Sequence, residues 1–169
     1  MASFALPAFF CVAVLSSMTL VSHGAEIGLC QGPCLEGWVH YNGRCFQHVA
    51  DRKTWLDAEL NCLHLGGNLV SEHSEDEHQF LKELHKRHDP KNGPFWIGLS
   101  DKHKEKTWLW SDGTSASAKG DFLRWNPGEP NNYRGKEDCV HSNYGGPKGW
   151  NDVSCNSKYP SICALRLND

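Results

Sequence analysis

The 169-residue chain is short of several things, and each shortage removes a class of function. Basic charge is scarce: 17 Lys and Arg against 20 Asp and Glu leave a formal net charge of −3. No positive field exists to hold nucleic-acid phosphates. No Cys-x-x-Cys pair at zinc-knuckle spacing occurs, and the ten histidines include no His-Glu-x-x-His motif. A Gly-x-Ser-x-Gly elbow and a Walker loop are both missing. What remains for an enzyme is a set of clustered acids, which metal ligation explains better than catalysis. No Asn-x-Ser/Thr sequon, internal repeat or low-complexity tract occurs. Aromatics, by contrast, are plentiful at 11%, within 39% hydrophobic and 22% charged residues. That composition excludes a disordered chain, and the length fits one domain.

Residues 1–24 read as a signal peptide. Phe4 to Val21 is almost uninterrupted apolar or small, and the first charged residue is Glu26. Ser22 and Gly24 are small residues at the −3 and −1 positions, so cleavage is expected after Gly24. The n-region lacks Lys and Arg. Against a membrane anchor, the apolar stretch is broken by Pro7, Ser16 and Ser17 and is only about long enough to span a bilayer. The mature chain is expected to be secreted, where thiols pair. Cys11 leaves with the signal, which leaves Cys30, Cys34, Cys45, Cys62, Cys139, Cys155 and Cys163, an odd number. One is free, paired to another chain or removed with a short propeptide. Cys30, alone in the short segment 25–33, is the outlier.

Local patterns give an α+β chain. Gly37 to Phe46 reads as a hairpin, with Asn42-Gly43 supplying a type I′ turn. Asp51 is expected to cap a helix running to Leu65, with Trp55, Ala58, Leu60, Cys62 and Leu65 on the buried side and Gly66-Gly67 as its stop. Leu69-Val70 reads as a short strand. Ser74 to Glu77 is a capping box opening a second helix with Phe80, Leu81 and Leu84 inward. Lys82, Glu83, Lys86 and Arg87 form its solvated face. His85 and His88, one turn apart with no third ligand, read as surface histidines. Asp89-Pro90 and Asn92-Gly93-Pro94 end the helix, and Phe95 to Leu99 is a buried strand. From Ser100 to Gly149 the chain is rich in Gly, Pro, Asn, Asp and Ser yet holds Trp108, Trp110, Phe122 and Trp125. A polar irregular stretch of that length points to a functional loop. Trp150, Val153 and Ile162 mark returning strands.

Five short motifs occur in order: Trp96-Ile97-Gly98-Leu99, Trp110-Ser111-Asp112-Gly113, Glu129-Pro130-Asn131, Glu137-Asp138-Cys139 and Trp150-Asn151-Asp152. Framed by Cys62, Cys139, Cys155 and Cys163, they resemble a C-type lectin domain over residues 34–165, in the form of the short secreted lectins of fish. The resemblance implies two helices packed on small antiparallel sheets with a long disulfide-framed binding loop. It also implies the pairs Cys34–Cys45, Cys62–Cys163 and Cys139–Cys155, with Cys30 left for an inter-chain bond.

The same resemblance makes Glu129, Asn131, Glu137, Asn151 and Asp152 ligands of a calcium ion. The chemistry agrees, because calcium takes about 6–8 oxygens and these side chains offer carboxylate and amide oxygens. Pro130 is expected to follow a cis peptide, turning both flanking side chains toward one ion. A second calcium site corresponds to Asp101, Glu105, Asn132 and Asp138, together with Glu137; Asn132 stands where an acid would raise the charge. Sugar binding falls on Glu129, Asn131, Glu137 and Asn151, since a hydroxyl donates to a carboxylate while accepting from an amide. Glu-Pro-Asn implies mannose-type sugars. The alternative is a galactose binder, with Tyr133, Tyr144 or Trp150 as an apolar face beside the Gly145–Gly149 insert. From another class, the same fold serves as an antifreeze-type or receptor-binding toxin domain. The expected partners are carbohydrates of cell-surface or microbial glycoconjugates and a further copy of the chain, which would make weak sites agglutinating. Membrane insertion, nucleic-acid binding and catalysis are not expected.

Overall fold

In the computed structural model the described residues are 34–116 and 120–167. The signal segment 1–24, Cys11 and the 25–33 segment with Cys30 lie outside them. Asn42 and Gly43 both have positive φ, 46° and 74°, so the turn joins β1 (Val39–Tyr41) to β2 (Arg44–Lys53) in the geometry a two-residue hairpin needs. β2 pairs so far along the last strand that Asp51 is carried into it. The cap of α1 (Trp55–His64) is therefore Thr54, whose hydroxyl accepts from Asp57 N. β3 (Asn68–Leu69) follows.

Ser74 Oγ accepts from Glu77 N and starts α2 (Glu75–His88). Glu77 answers one residue earlier than a capping box would, taking His73 N at 2.8 Å and an ion pair from Arg44, also at 2.8 Å. β4 (Phe95–Ser100) is buried along its whole length. β5 (Leu109–Trp110), β6 (Cys139–Tyr144), β7 (Gly149–Val153) and β8 (Tyr159–Arg166) complete the elements that fix the site.

The strands join in one sheet of order β1-β2-β8-β4-β6-β7, with β3 on β8 and β5 on β4. All pairings are antiparallel except β4 with β8, where Trp96 meets Ser161 in parallel. Side chains of β4 alternate between two cores, as strand geometry requires. Phe95, Ile97 and Leu99 pack with Phe46, Leu81, Leu84, Trp110 and Trp150, while Trp96 packs with Ala58, Cys62, Leu69 and Cys163.

Three disulfides stand among the described residues: Cys34–Cys45, Cys62–Cys163 and Cys139–Cys155. The second ties α1 to β8 across 101 residues, and the third ties the start of β6 to the chain beyond β7.

Two expectations fail on burial. Leu60 is 54% exposed, and the buried residues of α1 are Ala58, Glu59 and Cys62. Glu59 is inside because its carboxylate accepts from Leu69 N and Asn68 Nδ2, satisfying the charge it buries. His85 is wholly buried rather than a surface residue, with its Nδ1 3.0 Å from His48 Nε2 and its ring against Phe95.

Candidate functional site

Between β5 and β6 the described residues form no regular strand, and the chain then turns over the β6–β7 hairpin. The Glu129–Pro130 peptide is cis. Asn131 Nδ2 donates to Glu129 Oε2, so the two residues flanking Pro130 face each other. Asp152, buried on β7 opposite Val140, receives this loop: its Oδ1 accepts from Asn131 N at 3.0 Å and its Oδ2 from Asn132 N at 2.7 Å. Asn132 adopts the left-handed conformation, φ 41°, which asparagine tolerates better than most residues. Its side chain accepts from Glu137 N and donates to Glu105 Oε2, while Glu137 Oε2 accepts from Tyr133 N at 2.8 Å. Glu129, Asn131, Glu137 and Asp152 thus belong to one network. Asn151 sits beside them on β7 but turns its amide to His141 Nε2 and Asp152 O.

Electrostatics are one-sided. Among the described residues no ion pair ties Glu129, Glu137 or Asp152 to a Lys or Arg. Burial raises Glu129 above its ordinary value, and the nearby Asp152 and Glu137 carboxylates add to the rise. Glu137 is raised too, by burial first and by Asp152, against the Tyr133 N–H that favours its charge. Carboxylates crowded without a counter-charge, in a donor set made only of oxygens, fit a hard divalent cation. Among the described residues no group of three His, Cys, Asp or Glu side chains is set up to hold a metal, since the carboxylates are turned to neighbouring amides. The donors fit calcium in kind and in charge, and side-chain rotation would have to bring them to one point.

The second cluster is looser. Asp101 is buried, with Oδ2 accepting from Lys106 N at 2.7 Å and Oδ1 without a hydrogen-bond partner. Burial raises its pKa, and Glu105 and Asp138 raise it further, against the Lys106 N–H. Glu105 reaches Asn132 by side chain, whereas Asp138 meets Asp101 through its backbone carbonyl. A cleft of about 400 Å³ between Glu105, Trp108, Pro130, Asn131, Asn132 and Asp152 links the two clusters. A slightly larger one, about 440 Å³, opens by Arg44, Asn68, Asp112 and Arg166, away from these acids.

Three residues that sequence reading missed, Glu72, Asn126 and His141, hold the site in place. Trp150 Nε1 donates to Glu72 Oε2, deep in the core, so Trp150 is buried and offers no face to a sugar. Asn126 straps the hairpin from beneath: Nδ2 donates to Tyr144 O, Oδ1 accepts from Gly149 N, and its own N–H goes to Trp150 O. A Cβ at Gly149 would stand 2.6 Å from Arg124 O, so glycine is what lets the strap close. Nothing local in the sequence marks Asn126, Glu72 or His141, because each acts across a long stretch of chain. Tyr144 is 45% exposed with its ring 5.0 Å from that of His141, and Tyr133 is exposed beside Arg134.

Residues 51–165 match the Lectin C-type domain family. The chain is 71% identical over 167 residues, 99% of each chain, to a protein of Anguilla japonica named lactose-binding lectin l-2. Among solved structures it is similar to herring type II antifreeze protein, at 36% identity and a TM-score of 0.72 over 80% of this chain and 100% of that one. It is also similar to the C-type lectin CEL-I of Cucumaria echinata, at 26% identity and a TM-score of 0.74 over 80% and 99%. Among the described residues no helix is long and apolar enough to cross a membrane.

Proposed function

The chain belongs to the C-type lectin family, as a binding protein rather than an enzyme, and from that premise we propose that it is a secreted, calcium-dependent carbohydrate-binding lectin. The observation that carries the reading is the network in which Glu129, Asn131, Glu137 and Asp152 meet over the β6–β7 hairpin. Calcium, when bound, would supply a hard centre to which neighbouring sugar hydroxyls add as further oxygen ligands. Glu129, Asn131, Glu137, Asn151 and Asp152 would hold it. The chain's own side chains do the recognition: Glu129 and Glu137 accept from a hydroxyl, while Asn131 and Asn151 donate to the same oxygen. Asp152 fixes the loop by taking two of its backbone amides. For the second ion, the support is the buried, unpartnered Oδ1 of Asp101, with Glu105, Asn132 and Asp138 around it.

The order Glu129-Pro130-Asn131 favours a mannose-type sugar. A second reading, a galactoside, is favoured by the printed name of the 71% identical eel lectin and by the exposed ring of Tyr144 at the rim. Such a ring can cover the apolar face of a galactose.

A glycan array of the secreted protein, with calcium and then with chelator, separates these. Chelator-sensitive binding to mannose-type glycans supports the motif's reading. Chelator-sensitive binding to lactose moves specificity to the rim. Binding that survives chelation removes the ion from the mechanism. No binding at all, with thermal hysteresis in solution, would transfer the protein to the ice-binding class named by its herring relative.

A further inference from the structure

Four side chains that the sugar site leaves unused meet at the C-terminal end of α2: His85, His88 and Asp89 from the helix and its cap, and His48 from β2. His85 and His88 stand three apart, a spacing that sets them side by side on a helix but offers only two rings. β2 supplies the third. His48 Nε2 lies 3.0 Å from His85 Nδ1, and the His48 ring stacks on that of His88, with centroids 4.8 Å apart and planes 6° from parallel.

The inner ring is already oriented. His85 Nε2 is 3.3 Å from Asp89 Oδ2, and Asp89 is itself held by Lys91 N at 3.0 Å and Gly93 N at 3.2 Å. A carboxylate in that place favours the proton on Nε2 and leaves Nδ1 as a lone pair, which is how metal-binding histidines are commonly set. The 3.0 Å contact then puts a proton on His48 Nε2, and His48 Nδ1 is a buried nitrogen without a partner. Burial lowers His48 to about 4 and lowers His85 as well. Both rings are therefore neutral near pH 7, the form that ligates.

We propose that His48, His85 and His88 form a site for one transition-metal dication of the zinc class, with Asp89 orienting His85 from behind. Two nitrogens are in place, and the exposed His88 brings the third by rotation about its side-chain bonds, with water as the fourth ligand. Nitrogens on one tetrahedral zinc lie about 3.3 Å apart, so the His48–His85 pair opens by roughly a few tenths of an ångström. The proton on His48 Nε2 passes to the unpartnered Nδ1, and the ring stays neutral. A cleft of about 390 Å³ lined by His48, His88 and Asp89 gives the ion its way in. Arg52 and Lys91 also line it and repel a cation held by charge alone. Neutral imidazoles bind by donor softness instead, and select zinc, copper or nickel over calcium. This site is chemically distinct from the oxygen cluster around Glu129 and Asp152, and it does not depend on sugar binding.

Isothermal titration of zinc chloride into the full mature chain tests it, in millimolar calcium so that calcium competes for the oxygen cluster. One zinc per chain is expected. His48→Gln and His88→Gln alter side chains at the cleft and are expected to preserve folding, checked by circular dichroism. Each should weaken zinc more than tenfold, and Asp89→Asn, which loosens the orientation of His85, about tenfold. Cobalt(II) in place of zinc should show the visible absorption of a tetrahedral nitrogen site, lost in His48→Gln. The proposal is overturned if wild type binds no zinc. It is equally overturned if the double variant His48→Gln with His88→Gln binds as tightly as wild type, which would give the ion to exposed imidazoles such as His40 and His103. Zinc that binds only when calcium is absent belongs to the oxygen cluster, and that result too would overturn it.

Discussion

Trp150 Nε1 donates to Glu72 Oε2 across 2.9 Å, and neither side chain is reached by solvent. The two residues are 78 apart in sequence. Glu72 also takes His78 Nδ1 at 2.6 Å at the start of α2, so one buried carboxylate joins that helix to the strand carrying Asn151 and Asp152. The position of two proposed calcium ligands is thus set from the far side of the core.

Trp150→Phe should be costly for that reason. It removes the donor and leaves a buried carboxylate short of a partner, worth about 1–3 kcal/mol, with lost packing on top. Thermal unfolding should register a lower midpoint, and calcium should recover less of it than in wild type. An unchanged midpoint would mean that the Glu72 link carries no strain of the fold.

Calcium itself should stabilise. A ligand that binds only the folded chain contributes about 2.7 kcal/mol at 100 times its dissociation constant. Millimolar calcium should raise the midpoint of wild type, and Asp152→Asn should abolish the rise, because that residue both carries charge and holds the loop. A rise that persists in this variant would place the ion elsewhere.

The sugar motif makes a directional prediction. Glu129→Gln with Asn131→Asp exchanges acceptor and donor on the two sides of Pro130 and should move preference from mannose-type sugars toward galactose, read by competition on immobilised sugar. A folded variant with unchanged preference would move specificity to Tyr133, Tyr144 or the 145–149 turn.

Acid should destabilise through His48 and His85. Burial, then His85 and His88, lower His48 from 6.5 to about 4, and burial is the first cause lowering His85. Both rings stay neutral in the folded chain where the unfolded chain already takes up protons. Unfolding free energy should therefore hold above pH 6.5 and fall as pH drops from 6.5 toward 4. His48→Gln should flatten that slope in urea titrations at pH 7, 5.5 and 4.5. Parallel curves for variant and parent would refute the assignment.

Local chemistry explains which elements were legible in the sequence. Asn42-Gly43 specifies its turn by backbone preference alone, and an all-apolar run such as Phe95 to Leu99 has nowhere to go but the interior. The order of the loop motifs marked out Glu129, Asn131, Glu137 and Asp152, and the structure joins all four in one network. What was not legible depended on partners distant in the chain. Asp51 lost the cap of α1 to Thr54 because β8 extends the strand past it. Glu59 displaced Leu60 from the core because β3 offers a backbone N–H and an amide to its carboxylate. His85 is buried because Phe95 and His48 close over it. In each case a side chain's fate is decided by a hydrogen bond or a ring from another element, which periodicity does not encode.

The disulfide between Cys62 and Cys163 encloses the stretch of chain between β5 and β6 within its span. A protease that cuts there severs the backbone without dividing the molecule. The piece bearing α1 and the piece bearing β8 remain covalently one, the chain gains only a molecule of water, and the cut is invisible by size until a reductant opens the bond. Cleavage and disassembly are separate events for this protein, and the redox state of its surroundings decides whether the first leads to the second.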